Sequence, residues 1–124
     1  MERVFVVALA LVATGVLGAC GEDARAPLRV TWRESEGHPA CTYDRPGTVT
    51  VRLVVTGDAG DRDTVTATVT AYADENTSVP VGSVSRSVRV HGAVHEPVDL
   101  SIPVTKAPHV DEDGVAACRL EVGY

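Results

Sequence analysis

Hydrophobic and polar residues alternate along most of this chain. In "LRVTWR", Leu28, Val30 and Trp32 share one face, and Arg29, Thr31 and Arg33 share the other. "TVTVRLVVT" turns Val49, Val51, Leu53 and Val55 to one side. "TVTATVTAY" sets Val65, Ala67, Val69 and Ala71 against Thr64, Thr66, Thr68 and Thr70. "VSRSVRV" aligns Val84, Val88 and Val90, with Arg86 interrupting the apolar row. "VDLSIPV" aligns Val98, Leu100, Ile102 and Val104, and "ACRLEV" aligns Cys118, Leu120 and Val122. A period of two in segments rich in Val and Thr predicts strands with one buried face.

The segments "RPG", "GDAGDRD", "ADENTS", "HGAVHEP" and "APHVDEDG" lie between these runs and carry the residues of turns. A single sheet of such strands would leave its apolar face in water, so two sheets must pack face to face. The expectation is an all-β, two-sheet antiparallel sandwich of about seven strands over residues 28–124. Pro80 and Pro103 are expected at strand ends or edges, because proline has no N–H to give to a ladder. With 124 residues, 44% hydrophobic and only 4% aromatic, the chain makes one domain whose core is aliphatic.

The N-terminus breaks the pattern. After Glu2 and Arg3 the chain runs apolar, "VFVVALALVA", and reaches "VLGAC". This has the length and flanks of a helical secretory signal and is short for a spanning helix, which needs about 20 apolar residues. "LGAC", residues 17–20, resembles the lipobox of bacterial lipoproteins. The resemblance implies a signal peptide over residues 1–19, cleavage between Ala19 and Cys20, and a diacylglyceryl group on the Cys20 thiol. Residues 20–27 then form a lipidated tether. The implied location is the extracytoplasmic face of a bacterial membrane, held by acyl chains that each contribute about 0.8 kcal/mol per buried methylene.

The chain has three cysteines. With Cys20 assigned to lipid, Cys41 and Cys118 remain as a pair in a compartment that permits disulfides. No CxxC spacing supports a redox pair or a thiolate metal site, so a structural bridge is expected. The stretch from Leu100 to Val122, "LSIPVTKAPHVDEDGVAACRLEV", also resembles immunoglobulin-like domains, where a core strand leads through a corner to the second cysteine. Leu100 and Ile102 match the inward pair of that strand, Asp113 and Gly114 the corner, and Cys118 the cysteine. Ala116 stands where that family has a tyrosine, and Trp32 precedes Cys41 rather than following it.

The chemistry on offer is thin. The formal net charge is −6 and no basic cluster is present, which argues against nucleic acid. "GSVSRS" lacks the G-x-S-x-G nucleophile pattern, and no glycine-rich phosphate loop opens a helix. The chain is therefore expected to be a membrane-anchored, non-enzymatic binding, adhesion or accessory module without a cofactor, with the membrane and a protein at the cell envelope as partners. The alternative is an anchored protein that captures a metal or another small ligand through its acidic loops and histidines. "GDAGDRD" carries Asp58 and Asp61, "HGAVHEP" carries His91 and His95, and simple alternation of strands brings these loops to one end. Together they are candidate ligands for capture of calcium or a transition metal, although neither loop has a recognised ligand spacing. The second acidic loop, with Asp111, Glu112 and Asp113, is expected at the opposite end.

Overall fold

The computed structural model describes residues 26–35 and 37–124. The signal peptide, Ala19, Cys20 and most of the tether lie outside the described residues. Seven strands follow in order: β1 (Arg29–Trp32), β2 (Cys41–Arg45), β3 (Thr48–Asp58), β4 (Thr64–Tyr72), β5 (Pro80–Arg89), β6 (Ala93–Pro103) and β7 (Cys118–Gly123). All pair antiparallel, in one sheet of four strands and one of three, as the alternation predicts. No helix among the described residues is long and apolar enough to cross a membrane.

The long strand β3 organises the first sheet. One of its edges carries β6 along its whole length, from Thr48↔Pro103 to Asp58↔Ala93. Its other edge is shared. β1 pairs with the second half of β3 and β2 with the first half, and between them residues 33–35 and 37–40 lie outside both strands. The second sheet has the order β5-β4-β7. The inward residues of the two sheets meet in a core of Val30, Val49, Val51, Leu53, Val55, Val65, Val69, Val98, Leu100 and Ile102.

Three details depart from the sequence reading. β2, "CTYDR", is a strand without alternation, held because Cys41 and Thr42 pair with Val51 and Thr50. The run "HGAVHEP" is mostly strand: only His91 and Gly92 turn, and β6 starts at Ala93 and continues through Pro97. Proline is tolerated there because β6 is an edge strand, where a missing N–H faces no partner. Likewise β3 runs on through Gly57 and Asp58, so the acidic turn is shorter than "GDAGDRD". The edge there receives the incoming chain: Asp58 N–H donates to the Ala26 carbonyl (2.9 Å), and Pro27 bridges Asp58 in parallel.

The outer face of the second sheet explains the choice of threonine and serine. Thr66, Thr68 and Thr70 on β4 hydrogen-bond Ser87, Ser85 and Ser83 on β5 at 2.9, 2.7 and 3.0 Å. Cross-strand hydroxyl pairs of this kind contribute to sheet pairing where no apolar contact is available. On the outer face of the first sheet, Arg33 reaches across β3 to the Asp99 carboxylate on β6, and its Nε also donates to the Leu53 carbonyl (3.2 Å).

Candidate functional site

The two long sides of the sandwich are closed differently. On one side β5 and β6 are consecutive, joined by the His91–Gly92 turn. At its far end the Thr105 N–H donates to the Val81 carbonyl at 3.0 Å, and a Cβ on Gly82 would collide with the Pro103 carbonyl. That approach requires glycine. On the other side, β1 and β2 face β7. There the sheets are pinned by the Cys41–Cys118 disulfide and by one backbone bond, Ala116 N–H to Cys41 carbonyl at 2.9 Å.

Beside that staple lies a slot of about 160 Å³ lined by Trp32, Glu34, Ala40, Cys41, Val115, Ala116 and Cys118. It exists because the chain leaves the edge of β3 between Trp32 and Cys41, which pair with Leu53 and Val51. Arg52 folds the departing loop back, with its backbone N–H on the Ala40 carbonyl (2.7 Å) and its guanidinium on the Pro39 carbonyl (3.2 Å). Trp32 packs against the core and remains half-buried, as do Cys118, Leu120 and Val122 on the facing strand. Sites for drug-sized ligands run to about 300–1,000 Å³. This slot has the volume of one side chain.

The candidate metal ligands come together only in part. His91 and the Asp58–Asp63 region do share one end of the sandwich, where Ala59 N–H donates to the Gly92 carbonyl (2.8 Å) and Val90 N–H to the Asp63 carbonyl (2.8 Å). His95 instead lies on β6 opposite Thr56. Among the described residues, no three His, Cys, Asp or Glu side chains gather where they could hold one ion. Asp111, Glu112 and Asp113 stand at the far end, beyond the start of β7.

Several acids in the loops serve the backbone. The Asp58 carboxylate accepts the Gly60 N–H at 2.9 Å. The Asp111 carboxylate accepts from Asp113 (2.8 Å) and Val115 (2.9 Å). The Asp74 carboxylate accepts from Ser78 and Val79, both at 2.9 Å. The Ser78 hydroxyl and the Val79 N–H hold the Asp74 carboxyl below its ordinary range. These are side-chain turns that satisfy amides no strand can reach.

The slot was not legible in advance. Trp32 reads in sequence as one more inward residue, and only the unannounced strand β2 creates the gap beside it. The class defined by these observations is a disulfide-stapled, two-sheet β-sandwich whose β1–β2–β7 side is opened by the slot. No protein-family model, curated protein or solved structure matches the chain.

Proposed function

We propose that this protein is a lipid-anchored extracytoplasmic module that binds a protein partner at the bacterial envelope and catalyses no reaction. The anchor rests on "LGAC" and the apolar run before it, with Cys20 as the acylated residue. The domain is immunoglobulin-like in its C-terminal stretch from Leu100 to Val122. Its tether from Cys20 enters the sandwich at Ala26 and Pro27, beside the end of β3.

The observation that carries the binding reading is the slot at Trp32. An aromatic residue half-exposed beside a rigid staple, in a cavity of about 160 Å³, suits one apolar side chain of a protein surface. A metal-capture role lacks a matching observation, since no three His, Cys, Asp or Glu side chains gather among the described residues.

Crosslinking of the tagged full-length protein on living cells, followed by mass spectrometry, tests this reading. A reproducible protein neighbour is expected. The rim variant Glu34→Lys, which leaves the core untouched, is expected to reduce capture at least about tenfold, the loss that about 1.4 kcal/mol of binding free energy produces. Equal capture by the variant, or no neighbour at all, contradicts the reading.

A further inference from the structure

We propose that the open edge of β7 pairs antiparallel with β7 of a second copy of this chain, so that two three-stranded sheets become one of six. The inference rests on the reading of the open side as a protein-binding surface and names its occupant. It begins from backbone groups. β7 pairs with β4 from Ala71↔Cys118 to Thr66↔Gly123. Among the described residues, no other hydrogen bond engages the backbone of Arg119–Gly123. The adjoining apolar residues are undersheltered: Leu120 and Val122 are half-buried, whereas their β4 neighbour Val69 is fully buried. An added strand would cover both deficits.

The other edges carry the features that discourage pairing. β6 has Pro97 and Pro103, β5 starts at Pro80 and carries Arg86 and Arg89, and β1 and β2 have only 4 and 5 residues. β7 has no proline, and its outward residues are one cation and one anion, Arg119 and Glu121.

Charge selects the register. Continuing the sheet requires inward residues opposite inward residues, which restricts a twofold centre that pairs at least three residues of β7 to Arg119, Leu120, Glu121 or Val122, the last of which sets Glu121 opposite Gly123 with no charge across from it. A centre on Arg119 opposes two arginines, and a centre on Glu121 opposes two glutamates. A centre on Leu120 sets Arg119 opposite Glu121 of the second copy, twice over, with Leu120 on Leu120 and Cys118 on Val122. Only this register has opposite charges across both outward pairs, and opposite charges favour cross-strand pairing where like charges oppose it. The closed twofold contact cannot propagate into a fibre.

Sedimentation equilibrium of the full-length protein in density-matched detergent tests the proposal. A contact this small is weak, so the wild-type protein is expected to dimerise at about 100 µM. R119E and E121R each place like charges in every pair and are expected to weaken association at least about tenfold. The double swap R119E/E121R is expected to restore it. An equimolar mixture of the two single variants is expected to form a heterodimer, because each supplies what the other lacks; that recovery also shows both variants folded. A wild-type monomer at this concentration overturns the proposal, as does a dimer indifferent to the swaps or single variants that fail to associate with each other. A wild-type monomer that still crosslinks to a different protein on cells overturns the second copy but leaves the binding surface standing. A monomer with no neighbour overturns both.

Discussion

Individual residues carry obligations that their identity alone does not announce. Gly57 sits in β3 at φ 112°, and a Cβ there would run into the Pro27 carbonyl. The glycine lets the incoming chain dock against the strand end. Gly57→Ala therefore combines a left-handed backbone with a collision against main chain, and is expected to destabilise by about 2–4 kcal/mol. Chemical denaturation checks this; a loss below about 0.5 kcal/mol, typical of neutral surface changes, would show that the docking of Pro27 is dispensable. Asp74 makes a prediction about pH. Its folded carboxyl titrates below the ordinary 3.8, because the Ser78 hydroxyl and the Val79 N–H favour the anion. Between the two values the unfolded chain binds the extra proton. The contribution of Asp74 is thus fully present above the ordinary value and is lost as pH falls through the lower folded one. Asp74→Asn is expected to flatten the acid limb of a melting-temperature profile in that window and leave its neutral slope unchanged. An unaltered acid limb would contradict the assignment.

Elements show which parts of the fold were legible and why. β1, β3, β4 and the ends of β6 and β7 announce themselves by alternation, since each buries one face against the opposite sheet. Leu53 on the central strand β3 and Ile102 on the edge strand β6 are both fully buried between the sheets. Truncating either to alanine is expected to cost about 3 kcal/mol in a denaturant titration; a cost below about 1 kcal/mol would mean the sheets slide to fill the void. β2 was hidden because five residues pinned between a disulfide and a turn have no room for a pattern. The first half of β6 was hidden because His91, Gly92 and Pro97 write a turn signature over residues that an edge strand accommodates. The acidic loops misdirect for a related reason. Asp58 reads as a candidate ligand and Asp111 as part of an acidic loop, while each, like Asp74 in its own turn, accepts backbone amides close by in the chain.

The disulfide belongs to the same scale. It joins β2 to β7 across the open side and closes a loop of sequence separation 77. On the chain-entropy model such a bridge contributes about 4.5 kcal/mol, with less often realised. Cys41→Ala with Cys118→Ala is expected to lower stability by about 3–4 kcal/mol. It is also expected to speed amide exchange in β7 more than in β3, because β7 loses its pin while β3 keeps partners on both edges. Uniform exchange in both strands would contradict a local role for the bridge.

At the scale of the whole molecule, the proposed function pictures an acidic sandwich held to a membrane by one end, with the slot along one side. The tether enters at the end of β3. The disulfide and the slot lie along the side formed by β1, β2 and β7. An anchored domain meets partners at a raised effective concentration, which favours weak contacts of the kind proposed for β7. At −6 the chain has no electrostatic grip on nucleic acid or on an anionic lipid surface, so the proposed membrane attachment rests on acyl chains alone. The proposed function stands on the anchor at Cys20 together with the bridge that makes the remaining cysteines a pair. Intact mass of the full-length protein, expressed in a bacterium and isolated from its membrane fraction, tests both at once. The account predicts a chain beginning at Cys20, heavier by a diacylglyceryl group and lighter by two hydrogens for Cys41–Cys118. A product that retains residues 1–19, or a mature chain with an unmodified Cys20, would contradict it.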